Sequence, residues 1–168
     1  MEWSFLRAPS VYSVEVTALR AALAIVVFLL GAVPSARAVT PVEARARVEH
    51  HLRYVEGLVS HFEALVTMSC PRFPTPDAWD VYVTREADQF VLLMAHLEQA
   101  WVEAKRTGDD EVRRVAKAPR RQSDQFRALM DKLETCAQLN GAVFSTMDVW
   151  RRVERDVPRL QADIALPQ

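Results

Sequence analysis

The sequence is poor in glycine, with four in 168 residues. That excludes collagen-like and glycine-rich low-complexity architectures and leaves little material for phosphate-cradling loops. Neither sign of charge dominates: 21 basic and 22 acidic residues give a formal charge of −1. No global field therefore draws the chain onto nucleic acid or an anionic membrane. The longest apolar run, AALAIVVFLLGAV at residues 21–33, holds 13 residues; a comfortable membrane span needs about 17–25. There is no G-x-S-x-G, no G-x-G-x-x-G, no Walker loop and no C-x-x-C-H haem attachment, so the common hydrolase, nucleotide and c-type haem signatures are missing. What remains, 50% hydrophobic and 26% charged, is an ordinary globular balance.

The short apolar run has a context. Arg20 precedes it and Pro34-Ser35-Ala36-Arg37-Ala38 follows. A basic residue, an apolar run of this length and an A-x-A ending predict a secretory signal peptide over residues 1–38. The long leading segment with Glu2 and Glu15 keeps an uncleaved anchor as the alternative. Thr40-Pro41-Val42-Glu43 independently marks a helix start just after Ala38: a threonine cap, proline at the first helical position and a glutamate placed to close a capping box. Removing 38 of 168 residues leaves a domain over 39–168, and the charge moves from −1 to −2 as three arginines and two glutamates leave. That length suffices for one buried core, and a periplasmic or secreted location follows.

Four segments then show helical periodicity. The first runs from about Pro41 to Ser69 with Val48, Leu52, Val55, Val59, Phe62 and Val66 on one face. Prolines 71, 74 and 76 break it. Thr75-Pro76-Asp77 opens a second segment to about Arg106, striped by Trp79, Val83, Phe90, Leu93, Met94, Leu97, Trp101 and Ala104. Gly108 stops it and aspartate caps the next. The third, about Asp110 to Asn140, contains Pro119, which should kink or split it. A shorter fourth starts at Ser145 or Thr146 and meets Pro158. No strand alternation appears. The expectation is an all-α, up-down bundle of three long antiparallel helices plus a shorter fourth.

Cys70 and Cys136 fall at the same pole of such a bundle. Two cysteines in an oxidising compartment read as one disulfide, closing a loop worth about 4 kcal/mol on the chain-entropy model.

The four histidines, His50, His51, His61 and His96, have no carboxylate and no second histidine three or four positions away. A di-metal bundle turn is therefore absent, no cofactor is called for, and each histidine is expected at a boundary or on the surface. One pattern stands out. His50, Tyr54, Gly57, His61, Ala64 and Met68 form a second face on the first helix, beside the core stripe. Either another helix docks there, or the face, centred on His50, Tyr54, Gly57 and His61, receives a partner helix, a small ligand or a haem. A basic cluster, Arg113, Arg114, Lys117, Arg120 and Arg121, is a second candidate for anionic surfaces. It needs the helix to continue through Pro119, and Asp109, Asp110, Glu111 and Asp124 oppose it.

In outline the chain is similar, at the level of fold alone, to periplasmic cytochrome b- and c′-type bundles and to envelope stress chaperones. The c′-type likeness fails for lack of C-x-x-C-H, and the fourth helix offers a b-type haem Met147 but no histidine. The expected function is a non-enzymatic binding module that meets a protein partner or an envelope surface, not nucleic acid. It would not be an integral membrane protein once the signal is removed, and self-association is possible. The alternative is a haem- or metal-binding bundle using histidines from different helices.

Overall fold

The computed structural model describes residues 39–119 and 123–166. The expected signal peptide and residues Arg120 and Arg121 of the basic cluster lie outside them. The described residues form five helices: α1 (Pro41–Thr67), α2 (Pro76–Thr107), α3 (Asp110–Lys117), α4 (Ser123–Leu139) and α5 (Thr146–Ile164), with no strand among them. None of these helices is long and apolar enough to cross a membrane.

The helix starts follow from local chemistry. Thr40 accepts a hydrogen bond from the Glu43 amide at 3.2 Å, and the Glu43 carboxylate accepts from the Thr40 amide at 2.8 Å. This is the capping box read from the sequence, with Pro41 at the first position, where a missing N–H costs nothing. Thr75 caps α2, Asp109 caps α3 through the Glu111 and Val112 amides, and Ser145 caps α5. Gly108 ends α2 at φ 68°, a left-handed conformation that glycine adopts without a side-chain clash.

The third segment is two helices. α3 stops at Lys117 and Pro119 follows in the connection, so the long third helix expected from periodicity is divided there. Proline lacks the N–H that would continue the ladder, and its ring crowds the preceding turn. Pro158, by contrast, does not end α5, which runs on to Ile164.

Cross-helix pairs give the packing. Arg45 meets Asp109, His51 meets His96, and His61 meets Glu86, so α1 and α2 run antiparallel. The main core joins Val55, Phe62 and Leu65 of α1 with Phe90, Leu93 and Leu97 of α2, Leu129 and Leu133 of α4, and Val149, Val153 and Val157 of α5. A smaller cluster of Val48, Ala104, Val112 and Ala116 seats α3. A third surrounds Trp79, Cys136 and Ala137. There Cys70 and Cys136 are disulfide-bonded with Cα atoms 5.2 Å apart. Asn140 secures the same pole: its amide nitrogen donates to the Pro71 and Cys136 carbonyls, and its side-chain oxygen accepts from the Phe73 amide at 2.9 Å.

Candidate functional site

The second face of α1 lies along the seam with α2. Tyr54 stacks on His96, with ring centroids 4.6 Å apart and planes 6° from parallel, yet it stays 51% exposed. His50 lies against Tyr54 at 5.2 Å. Gly57 is open: a Cβ built there would meet no atom within 4 Å. His61, Ala64 and Met68 are exposed further along. A helix docked over this face would cover Gly57, and none of the described helices does. α2 instead meets the face along one edge, through His96 and Glu86.

Inside the seam, polar groups are buried in three layers. The first centres on Glu103, 1% exposed, whose Oε1 accepts from Gln99 at 3.1 Å and from Arg106 at 3.0 Å. Arg47 lies 4.0 Å away and donates to the Leu166 carbonyl.

The second layer is the His51–His96 pair, with Nδ1 atoms 3.0 Å apart. One nitrogen must donate and the other accept, so this contact holds a single proton. His51 is fully buried and its Nε2 has no partner among the described residues. Burial lowers its pKa from 6.5 to about 4, and the neighbouring His96, His50 and Arg47 push the same way. His96 is lowered by burial and by His50. The expectation that all four histidines are boundary or surface residues is therefore corrected for these two: His51 sits on the inner edge of α1 and His96 on the α2 face turned toward it.

The third layer is built on Glu86, 2% exposed. Its Oε2 accepts from His61 Nε2 at 2.6 Å, and its Oε1 accepts from Arg85 Nε at 3.2 Å and Nη2 at 3.0 Å. Burial raises the Tyr82 pKa, and Glu86 adds to the rise, while Arg85 opposes it. These groups edge an open cleft of about 380 Å³ floored by Leu65, Met68, Pro71 and Phe73. A separate apolar cleft of about 180 Å³ lies between α1 and α4, around Val59, Phe62, Val66, Phe126 and Leu129.

The candidate residues are thus brought together only in part. His50, Tyr54 and His96 form one group with His51, while His61 belongs to the Glu86 layer. Among the described residues no three His, Cys, Asp or Glu side chains form a group that could hold a metal ion. Glu86 and Glu103 were missed by sequence reasoning. Glu86 carries a usable signal, because it falls between Val83 and Phe90 on the same stripe as Trp79.

The basic cluster changes character. Arg113 pairs with Asp110 and Arg114 lies 3.6 Å from Glu111, each three positions back on α3. On α5, Arg151 pairs with Asp148, and Arg152 and Arg155 share Asp156. Because α3 ends at Lys117, the continuous basic face through Pro119 does not form as one helix surface.

No family model, curated protein or solved structure matches the chain.

Proposed function

We propose that the protein is an exported, disulfide-stabilised helical bundle that acts as a non-enzymatic binding module in the cell envelope or outside the cell. Its helices are read as an up-down bundle in which α3 and α4 together make the third leg and α5 the shorter fourth. The order of contacts supports this: α4 meets α2 through Phe126 on Phe90 and Cys136 beside Trp79, and α5 meets it through Trp150 on Phe90. The observation that carries the binding reading is the uncovered strip from Tyr54 past Gly57 to His61 and Met68. It combines an anchored ring, a helix position without a side chain, and a half-exposed methionine. Exposed aromatics on a rigid element are favoured anchors for partners. A role for the arginines is weaker, since their charges are offset by acids on the same helices.

The test is a photo-crosslinking residue placed at position 57 in protein exported by its native host, with position 154 on α5 as control. A discrete product at 57, absent at 154 and lost on Tyr54→Ala, is expected. Identical products at both positions, or none at 57, would sink the reading. Intact mass of the same sample checks export: a chain starting at Val39 and lighter by two hydrogens is expected. The haem- or metal-binding alternative draws only on the His51–His96 pair, and colour or metal retained through purification would move the reading to it.

A further inference from the structure

Glu86 poses a question the partner-binding reading leaves unanswered. A carboxylate taken out of water costs several kcal/mol, and well-packed apolar residues often serve stability better at such positions. Here the carboxylate is buried under the seam while both of its partners stand outside it: His61 and Arg85 are 46% and 67% exposed along their side chains. Glu86 therefore acts as an internal anchor that fixes an imidazole and a guanidinium on one edge of the 380 Å³ cleft. Each keeps a nitrogen outside the Glu86 network, Nδ1 of His61 and Nη1 of Arg85, and neither makes a further hydrogen bond among the described residues. The Arg85 guanidinium also lies over the Tyr82 ring, 5.5 Å from its centroid, which limits its swing. The opposite wall is hydrocarbon and is itself held in place. Pro71 and Phe73 belong to the segment that Asn140 and the Cys70–Cys136 bond tie to α4.

We propose that this cleft binds an apolar monocarboxylate, with its carboxylate on Arg85 Nη1 and its hydrocarbon over Leu65, Met68 and Phe73. The charge balance selects a monoanion. Arg85 is offset by Glu86, so the edge carries little surplus positive charge, and a dianion such as phosphate would meet the Glu86 field at close range. Nη1 of Arg85 offers a charged donor to a carboxylate oxygen, and the size of the cleft suits a chain of about six to ten carbons, its lining being mostly apolar. This inference stands apart from the macromolecular partner reading, which crosslinking at position 57 tests without reference to any small ligand.

The experiment is a calorimetric titration of the exported, oxidised protein with hexanoate, octanoate and 3-phenylpropanoate, and with 1-octanol as the uncharged match for octanoate. Octanoate should bind at least tenfold tighter than octanol. Each methylene added between hexanoate and octanoate should tighten binding up to about fourfold, the value for full burial of a CH2 group. Arg85→Gln, a change at an exposed position, should weaken octanoate about tenfold and leave octanol unchanged. Val59→Trp, which fills the other apolar cleft, should change neither. In heteronuclear NMR spectra the shifts should centre on Phe73 and Tyr82. The proposal is overturned if none of the acids binds, if octanol equals octanoate, if Arg85→Gln has no effect, or if the shifts centre on Phe126.

Discussion

The seam between α1 and α2 carries two histidine layers about three helical turns apart, and they solve the same burial problem in opposite ways. At His51–His96 two rings share one proton, and the charged groups acting on His51 are all basic: His96, His50 and Arg47. At His61–Glu86 a buried carboxylate faces an imidazole and a guanidinium that both reach water. The His51–His96 layer excludes charge, while the Glu86 layer buries one charge and turns its partners outward. The Glu86 layer also adjoins the disulfide pole through Pro71 and Phe73. One end of the seam is thus secured covalently, and its middle by a proton that must not be joined by a second. The comparison teaches that redox state and acidity should act on different parts of one interface.

Breaking the covalent end is expected to cost most. Cys70→Ser with Cys136→Ser removes a cross-link spanning 66 positions, for which the chain-entropy model gives about 4 kcal/mol. Denaturant unfolding at pH 7 measures the loss. The comparison requires that the acid response described next survive in this variant; a variant that lost both would show the two parts to be one cooperative unit.

Acidification tests the His51–His96 layer. The folded state holds His51 at about 4 against 6.5 unfolded, so it favours the neutral ring. Stability from this group is complete above pH 6.5, falls as the pH drops toward 4, and levels off below that. At about 1.4 kcal/mol for each tenfold in proton affinity, the loss has a ceiling of about 3 kcal/mol. His96 is lowered as well, by burial and by His50, and so adds to the loss as the pH falls below 6.5. The groups facing His51 are His50, Arg47 and His96, and Tyr54 covers His96 from the solvent side. Urea midpoints between pH 7 and pH 4 would show the fall; a flat profile would contradict the layer as described.

His96→Leu sharpens the same point at lower cost. It leaves His51 Nδ1 buried without a partner, worth about 1–3 kcal/mol. Adding His51→Leu removes the orphan and should recover most of that loss, because replacing both partners with apolar groups is nearly neutral. The double variant should also lose the pH 4–6.5 slope. A double variant as unstable as the sum of its parts would mean that the two rings act independently.

Much of this arrangement is legible from residues one to four positions apart. Thr40, Thr75, Asp109 and Ser145 announce helix starts because capping is a contact between near neighbours in sequence. The disulfide is legible because only two cysteines exist and the helical lengths bring them to one pole. Burial of His51, His96 and Glu103 is not legible in this way, whereas Glu86 falls on the stripe of Trp79, Val83 and Phe90. α2 packs against α1, α4 and α5 at once, so its buried arc is wider than any single apolar stripe, and polar residues on its flanks are enclosed by neighbours distant in sequence. The pairing of His61 with Glu86 spans 25 positions and has no local signature. The division of the third segment turns on Pro119 alone, where periodicity on either side allowed a kink or a break.

Gly57 lies on α1 between the two layers, and its substitution carries the smallest expected effect. It sits in the interior of a 27-residue helix where a Cβ would meet nothing. Glycine there costs about 0.5–1 kcal/mol relative to alanine, chiefly through backbone entropy. Gly57→Ala should therefore raise the unfolding free energy by that amount and leave the acid response of one layer and the disulfide dependence of the other unchanged. A loss of stability would mean that the surface at this point is already occupied in the folded protein, which would also remove the uncovered strip on which partner binding rests.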